Sequence, residues 1–230
     1  MLDTIAKRAA ALREDVEREL QACGRAGHAV TILGVSKKQP LSAILEAAAA
    51  GITDIGENYV QEAKEKFAAQ SKEGSVRKHF IGHVQTNKAK AIVELFDMVQ
   101  TVDRGDAAVA LAKAAEAAGR VLPVLMQLNI SPSERYGCLP HDVGRLAEIV
   151  LGLSSLRLDG VMAIGPITED RAEIARAFEV AAKTFARVGG STLSIGMSGD
   201  WREAVGAGST MIRIGTALFG ERRVQGGSLE

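Results

Sequence analysis

The sequence predicts a (β/α)8 barrel, and three features of the 230-residue chain indicate that fold. Eight short apolar runs recur along it, separated by segments with helical periodicity. Strands that alternate with helices form parallel βαβ units. Several of the runs are apolar at consecutive positions, as expected of parallel strands buried on both faces. Eight such units in about 200 residues favour a closed barrel over an open doubly wound sheet, which the number of strands alone does not exclude.

The chain begins with an amphipathic helix predicted over residues 2–22. Its apolar residues recur at steps of three and four, with charged residues between them, and the pattern stops near Gly24. The apolar positions are Leu2, Ile5, Ala9, Leu12, Val16 and Leu20. The chain ends soon after the eighth apolar run and leaves little room for a full final helix. We therefore expect the N-terminal helix to cover part of the barrel exterior.

The remaining elements follow from apolar runs, helical periodicity and the Pro and Gly residues at their ends. Pro40 suits the start of the second helix, while Gly51 and Gly119 each suit the position just past a helix end. The predicted strands cover about 30–36, 52–56, 79–84, 97–102, 123–130, 158–164, 192–196 and 211–215. The predicted helices between them cover about 40–50, 58–69, 87–95, 105–118, 140–151, 169–188 and 200–207. No linker interrupts this series, so we predict a single domain over 1–230.

Composition excludes several classes of protein. Hydrophobic residues make up 47% of the chain and charged residues 24%, as in soluble globular proteins. The formal net charge of zero argues against nucleic acid or an anionic membrane surface as the main partner. No apolar run reaches transmembrane length, and the charged N-terminal helix does not resemble a signal peptide. The two cysteines, Cys23 and Cys138, form no metal-binding pattern, which predicts free thiols in the reducing cytoplasm.

Lys37 directly follows the first strand, in the segment Thr31-Ile-Leu-Gly-Val-Ser-Lys37. The carboxyl ends of barrel strands form the active face, so its amine is a candidate for a Schiff base with an aldehyde. Such an amine must be uncharged when it attacks. The alternative is a solvated loop lysine, which is the usual environment of this residue type. Strand alternation directs the adjacent Lys38 away from Lys37 and makes it the weaker candidate.

Glycine-rich loops after the last two strands predict a phosphate site. Barrels often hold phosphate between the loops that follow strands seven and eight and a short helix. Here Gly196-Met-Ser-Gly199 follows the seventh strand and Gly215-Thr216 ends the eighth. Glycines let backbone N–H groups approach an anion, and Ser198 and Thr216 add hydroxyl donors. Ordinary turn formation by Gly and Ser is the alternative.

Two further polar residues are candidates for this mouth. Arg213 lies two residues before Gly215, so strand alternation places both on the barrel's inner face. A buried arginine needs a partner, which is either a structural ion pair or an acceptor such as an aromatic ring nitrogen that stays unprotonated. Asn58 follows the second strand and either contacts a ligand or caps the next helix.

The histidines and the residues after strand five carry weaker signals. His79 and His83 are four apart in a predicted strand, not on a helix, so they do not form a metal-binding pair. His83 and Asn87 are expected near the mouth. Tyr136 and Cys138 follow strand five, and the sequence assigns no role to either. We predict no metal site.

Taken together, these segments resemble the pyridoxal phosphate homeostasis protein family, which is similar to the N-terminal barrel domain of alanine racemase. The resemblance spans nearly the whole chain. The motifs that carry it, in chain order, are Val35-Ser-Lys37, Gly56-Glu-Asn-Tyr-Val-Gln-Glu62, His79-Phe-Ile-Gly-His83, Gln85-Thr-Asn-Lys88, Leu193-Ser-Ile-Gly-Met-Ser198 and Gly208-Ser-Thr-Met-Ile-Arg-Ile-Gly-Thr-Ala-Leu-Phe-Gly220.

The resemblance implies a protein that carries or buffers pyridoxal 5′-phosphate in vitamin B6 and amino or keto acid homeostasis, without established turnover. It implies an internal aldimine between the cofactor and Lys37. It also implies a monomer, with pyridoxal phosphate-dependent apo-enzymes as candidate recipients. The residues that the resemblance assigns to cofactor binding are Lys37, Asn58, Met197, Ser198, Arg213, Gly215 and Thr216.

Two enzymatic functions remain as alternatives. An amino-acid racemase needs two bases on opposite faces of the substrate. In alanine racemase the second base is a tyrosine from a C-terminal domain of the partner subunit. That domain is expected to be absent here, which leaves Tyr136 as the obvious internal substitute. A Schiff-base aldolase acting on a sugar phosphate would use the same lysine and phosphate site, but it has no clear role for Arg213.

Overall fold

The computed structural model describes residues 4–68, 76–131 and 136–220. Within them, eight parallel strands close into a barrel in which each strand pairs with the next and the last pairs with the first. The strands are β1 (Thr31–Val35), β2 (Asp54–Glu57), β3 (Arg77–Phe80), β4 (Met98–Val102), β5 (Leu122–Asn129), β6 (Leu156–Ile164), β7 (Thr192–Met197) and β8 (Met211–Ile214). The predicted (β/α)8 barrel, of the type found in alanine racemase N-terminal domains, is therefore confirmed.

Helices alternate with these strands around the barrel. They are α1 (Ile5–Ala22), α2 (Leu41–Ala49), α3 (Val60–Ala68), α4 (Ala89–Leu95), α5 (Gly105–Ala117), α6 (Val143–Leu151), α7 (Arg171–Val188), α8 (Trp201–Gly206) and α9 (Thr216–Phe219). A short 3-10 turn, Thr86–Lys88, precedes α4. Residues 2, 3 and 69, which the sequence predicts to be helical, lie outside the described residues.

Strand alternation divides the apolar residues between two clusters. Outward-facing residues such as Ile55 and Ile212 join the buried helix faces in the main core. Met98, Leu125 and Met162, from β4, β5 and β6, form a small separate cluster inside the barrel. The strands are apolar on both faces because the helices cover one face and the barrel interior receives the other.

Helix α1 covers the region beside β8 and β1, where the four-residue α9 follows the last strand within the described residues. It packs against α2, α8 and α9. The Arg8 side chain donates from Nε to the Leu218 carbonyl at 2.7 Å, and the Ile5 N–H donates to the Glu46 carboxylate at 3.1 Å. Its buried residues, Ile5, Ala9, Leu12, Val16 and Leu20, all belong to the apolar stripe that predicted the helix. The N-terminal helix thus closes the barrel exterior, as expected.

The third strand is shifted relative to its prediction. The sequence predicts it over 79–84, but it spans Arg77–Phe80, so His83 lies in the following loop and not in the strand. The chain leaves the strand because Gly82 lies directly against the backbone of Asn58. A Cβ at Gly82 would stand 2.0 Å from the Asn58 carbonyl oxygen. The Gly82 carbonyl accepts a hydrogen bond from the Thr101 hydroxyl at 2.5 Å instead of continuing a strand ladder.

Candidate functional site

Lys37 lies at the C-terminal end of β1, and both of its neighbours in sequence are anchored. The Ser36 hydroxyl donates to Glu57 Oε1 at 2.7 Å, and the Ser36 carbonyl accepts from Lys66 Nζ at 2.7 Å. The Lys38 backbone, at a left-handed φ of 62°, donates its N–H to the Glu62 carboxylate. Lys38 is exposed whereas Lys37 is half-buried. The backbone on both sides of Lys37 is therefore fixed before any ligand binds.

The anchor is a buried charge cluster under α3, formed by Glu57, Lys66 and Glu62. Lys66 Nζ lies 2.6 Å from Glu57 Oε1 and 2.7 Å from Glu62 Oε1. Glu57 is fully buried, and burial raises the pKa of its carboxyl although hydrogen bonds from Lys66 and Ser36 act in the opposite direction. The cluster faces the helix layer, on the opposite side of β2 from the barrel interior. Its role is therefore to position the β1 loop and not to contact a ligand in the mouth.

The barrel closure brings the lysine and phosphate candidates to neighbouring strand ends. Residue Leu33 of β1 pairs with Arg213 of β8, and Gly34 pairs with Ile214. Gly215 continues this register beside Val35: a Cβ at Gly215 would lie 3.8 Å from the Val35 Cβ. Lys37 and Thr216 therefore leave adjacent strands at the same end of the barrel. The sequence placed these residues at opposite ends of the chain, and the strand pairing unites them.

Arg213 is buried inside the barrel and its direct partners are uncharged. Its Nη1 lies 2.6 Å from the Ser194 carbonyl and 2.9 Å from the Ser194 hydroxyl, and its Nη2 lies 2.8 Å from the Ala163 carbonyl. These bonds use at most three of its five N–H groups. Burial lowers its pKa to about 10, with the charge of Asp200 opposing the shift. Arg213 is thus still a cation at neutral pH and can only donate hydrogen bonds.

The predicted phosphate loops are open to solvent at the mouth. Ser198, Gly199 and Thr216 are exposed. The Met197 N–H, however, donates to Asp200 Oδ1 at 2.5 Å. An anion that used this N–H would have to displace the carboxylate, so the hydroxyl groups of Ser198 and Thr216 are the more accessible donors.

Asn58 supplies a buried acceptor without a partner. Among the described residues, its side-chain Oδ1 accepts no hydrogen bond although it is shielded from solvent. The alternative in which this oxygen caps the following helix is therefore wrong. A buried polar atom without a partner costs free energy unless a ligand or water satisfies it. Asn58 follows β2, next to the strand that carries Lys37, and its carbonyl contacts Gly82.

His83 and Tyr136 come together at the mouth. Their rings stack with centroids 3.9 Å apart and an interplanar angle of 23°. Arg104 approaches His83 Nε2 at 3.4 Å, while His83 Nδ1 stands 3.7 Å from Asp103, too far for a hydrogen bond. Cys138, two residues after Tyr136, is half-buried, and burial raises the pKa of its thiol to about 11. The Cys138 thiol is thus protonated and not a ready nucleophile at neutral pH.

His79 is the functional candidate whose environment the sequence did not predict. It is fully buried in the barrel, where Nε2 lies 2.9 Å from Asp54 Oδ1 and Nδ1 lies 2.9 Å from Gln100 Nε2. Gln100 in turn contacts Ser194, the partner of Arg213. Sequence reasoning missed Gln100 and Ser194. The signal that could have identified them is a polar residue at an inward-facing position of a mostly apolar strand.

Metal ligation and membrane insertion find no support in the described part of the chain. No group of three or more His, Cys, Asp or Glu side chains in the described ranges comes together in a way that could hold a metal ion. In the same ranges no helix is both long and apolar enough to span a bilayer.

Comparison with known proteins finds relatives along almost the entire chain. Residues 9–223 match the alanine racemase N-terminal domain family. A protein of Pseudomonas aeruginosa named pyridoxal phosphate homeostasis protein is 42% identical over 224 residues, which cover 96% of this chain and 97% of that protein. A protein of the same name from Escherichia coli K12 is 40% identical over 232 residues, covering 96% of this chain and 98% of that protein.

A solved structure supports the same relationship. PipY of Synechococcus elongatus PCC7942, determined with PLP bound, superposes with a TM-score of 0.81 at 33% sequence identity. The match covers 94% of this chain and 100% of PipY.

Proposed function

Because this chain belongs to the pyridoxal phosphate homeostasis protein family, we propose that it binds pyridoxal 5′-phosphate at the barrel mouth and carries or buffers it without catalytic turnover. One structural observation supports the location above all others. The pairing of β1 with β8 puts Lys37, Arg213 and the Gly215-Thr216 loop on adjacent strands at one end of the barrel. An amine, a fixed cation and hydroxyl donors suit an aldehyde, a ring nitrogen and a phosphate, respectively.

The residues present fit the aldehyde, the ring nitrogen and the phosphate of the cofactor. When bound, the cofactor would supply an aldehyde carbon to which the Lys37 amine could bond covalently, with the aldehyde oxygen leaving as water. Arg213 has spare N–H groups to donate to the ring nitrogen. The unpartnered Oδ1 of Asn58 offers an acceptor beside the ring. The phosphate would be held by Ser198, Thr216 and the backbone at Met197 and Gly215, with the Met197 N–H released from Asp200.

The arginine argues against reactions that depend on strong stabilisation of a carbanion. A guanidinium whose pKa is about 10 stays protonated at neutral pH and requires the ring nitrogen to remain an unprotonated acceptor. An unprotonated pyridine withdraws electrons weakly, so carbanions next to the Schiff base gain little stabilisation. The racemase alternative needs a second base, and Tyr136 is the candidate that the sequence offered. Its ring stacks on His83 and is 63% exposed.

The proposal is tested by the absorbance spectrum of the purified protein and by borohydride reduction. We expect a visible absorbance band, either as purified or after addition of pyridoxal phosphate, and a reduced adduct on Lys37 by peptide mass spectrometry. A protein that never gains visible absorbance with added cofactor would contradict cofactor binding. Racemisation assays with several amino acids should show no turnover, and clear turnover would favour the racemase function.

The phosphate site gives a separate prediction. The double variant Ser198→Ala/Thr216→Ala should bind pyridoxal phosphate about a hundredfold more weakly, because each hydroxyl donates a hydrogen bond to a charged acceptor and the loss of one such bond costs about tenfold in affinity. Its affinity for pyridoxal, which lacks the phosphate, should be unchanged. Both affinities are measured by absorbance titration. Ser154→Ala, an exposed serine just before β6 at the opposite end of the barrel, is the matched control. Unchanged affinity for the phosphorylated form would refute this placement of the phosphate.

Other parts of the proposal concern the cellular setting. We propose a single-domain monomer that works in the cytoplasm and passes the cofactor to pyridoxal phosphate-dependent apo-enzymes. Two half-buried free cysteines suit a reducing compartment. The monomeric state is tested by measuring the molecular mass in solution by sedimentation equilibrium. Cofactor transfer is tested by mixing the loaded protein with an apo-enzyme and a large excess of a free-cofactor trap.

A further inference from the structure

A continuous chain of hydrogen bonds crosses the barrel interior from β2 to β8. Asp54 Oδ1 lies 2.9 Å from His79 Nε2, and His79 Nδ1 lies 2.9 Å from Gln100 Nε2. Gln100 Oε1 accepts from the Ser194 hydroxyl at 2.7 Å, and that hydroxyl oxygen accepts from Arg213 Nη1 at 2.9 Å. Asp54 is the first residue of β2, whereas Arg213 lies toward the mouth in β8. This hydrogen-bond chain therefore connects β2 to β8 through the barrel interior.

The donors and acceptors in this hydrogen-bond chain are consistent with one direction of donation, from Arg213 toward His79. Arginine can only donate, so the Ser194 oxygen accepts from Arg213 and its own proton goes to Gln100 Oε1. The amide nitrogen of Gln100 is then the donor that faces His79 Nδ1. His79 must accept at Nδ1, carry its proton on Nε2 and donate to Asp54. Every donor has an acceptor when His79 is neutral in this single tautomer.

The reverse direction leaves a donor unpaired. If the Gln100 amide turned over, its Nε2 would donate to the Ser194 oxygen, which already accepts from Arg213. The Ser194 proton would then lose its acceptor, and His79 would need protons on both ring nitrogens to satisfy Gln100 and Asp54. Burial lowers the pKa of His79 and opposes that charge, although the hydrogen bond and charge of Asp54 favour it. The neutral arrangement is the favoured one.

The hydrogen-bond chain ends at Arg213, a cation whose direct partners are uncharged. Arg213 contacts two carbonyl oxygens and the Ser194 hydroxyl, and Asp200 influences it only through its charge. A buried guanidinium of this kind has no carboxylate fork to set its orientation. The orientation of the guanidinium is then set by the acceptor lone pairs around it. By accepting the Ser194 proton, Gln100 fixes the rotation of that hydroxyl and so directs a lone pair of its oxygen toward Arg213.

We propose that Asp54, His79, Gln100 and Ser194 are positioning residues, which orient the Arg213 guanidinium toward the ring nitrogen of the bound cofactor. This inference rests on the proposed function, since it needs pyridoxal phosphate at the mouth. It assigns to the barrel interior a role beyond packing. None of the four residues needs to contact the cofactor.

The first test removes one hydroxyl. Ser194→Ala should bind pyridoxal phosphate about tenfold more weakly than the unmodified protein, which is the typical effect of losing one hydrogen bond to a charged group. The deaza analogue of the cofactor, with C–H in place of the ring nitrogen, should bind both proteins equally. Ser209→Ala is the matched control, because Ser209 is also fully buried but its hydroxyl bonds to the carbonyls of Ile195 and Met211.

The second test reverses the direction of the hydrogen bonds, and it is measured on the cofactor-free protein. In Gln100→Glu both carboxylate oxygens are acceptors, so we expect His79 to carry protons on both ring nitrogens at pH 7. Nitrogen-15 spectra of labelled cofactor-free protein distinguish this state from the neutral Nε2-protonated form expected in the unmodified protein. A His79 protonated on Nδ1 in the unmodified protein would overturn the proposed direction.

The outcomes separate this inference from the proposed function. If the unmodified protein does not bind pyridoxal phosphate, the proposed function fails. A second case is that the unmodified protein binds the cofactor, but Ser194→Ala either lowers the affinities for the cofactor and its deaza analogue equally or changes neither affinity. Ser194 then does not act through Arg213 and the ring nitrogen. In that case the positioning role is refuted while cofactor binding stands.

Discussion

Lys37→Ala is expected to abolish covalent capture of pyridoxal phosphate. Without the amine no Schiff base can form, so borohydride should fix no cofactor to the protein and the imine absorbance band should be absent. Reversible binding through the phosphate loops and Arg213 should persist, weaker by more than about tenfold, which corresponds to about 1.4 kcal/mol of binding free energy. Peptide mass spectrometry after reduction and an absorbance titration measure the two effects.

Lys38→Ala is the matched control for this experiment. Lys38 is the adjacent lysine, exposed and held by its backbone N–H, which the substitution retains. Its removal should leave both the adduct and the affinity unchanged. A reduced adduct that persists in Lys37→Ala, or that disappears in Lys38→Ala, would show that a different amine captures the aldehyde.

Lys66→Met is expected to destabilise the cofactor-free protein by about 3 kcal/mol, the typical cost of leaving one member of a buried ion pair without its partner. Glu57 is fully buried and Lys66 Nζ, 2.6 Å away, is its cationic partner. The substitution also removes the hydrogen bond to the Ser36 carbonyl, just before Lys37. Urea unfolding followed by circular dichroism measures the free energy of unfolding.

The destabilisation should depend on pH in a defined direction. Burial raises the pKa of Glu57 in the folded protein above its unfolded value, and loss of the Lys66 cation should raise it further. Between the two pKa values the folded state binds more protons than the unfolded state, so stability falls as pH rises. The stability deficit of Lys66→Met should therefore be smaller at low pH and largest above the folded-state pKa of Glu57.

Two further variants serve as controls for the Lys66 substitution. Lys90→Met removes an exposed lysine whose contact with Glu94 is 3.9 Å, and should change stability by less than about 0.5 kcal/mol. Glu57→Gln/Lys66→Met removes both charges and should recover part of the loss. If Lys66→Met unfolds at the same urea concentration as the parent at every pH, the buried pair does not stabilise the β1 loop.

The residues of the candidate site illustrate what local sequence pattern predicts. Lys37 and Arg213 were recognised because each stands at a fixed position relative to an apolar strand, and the barrel rule assigns strand ends to the active face. The loops after β7 and β8 were recognised for the same reason. Their assembly in one mouth follows from the closure of β1 on β8. Their roles toward the cofactor remain predictions for the experiments described above.

Local pattern was insufficient wherever a buried polar group depends on a distant partner. Glu57 was noted only within a motif, yet its partners are Ser36 on the neighbouring strand end and Lys66 on α3. The early end of β3 depends on contact between Gly82 and Asn58. The hydrogen bond from the Met197 N–H to Asp200 could likewise not be predicted from the positions of the glycines and hydroxyl residues.

Sequence periodicity was sufficient to predict the eight-stranded barrel, the covering N-terminal helix and the positions of the candidate lysine and arginine, because periodicity reports which face of each element is buried. The hydrogen bonds between polar groups within the barrel could not be predicted in this way, because they depend on tertiary contacts. The path from Asp54 to Arg213 passes through five different strands, β2, β3, β4, β7 and β8, so no local segment contains it. Hydrogen-bond partners depend on the register between strands, which barrel closure sets, whereas hydrophobic periodicity is a property of each strand alone.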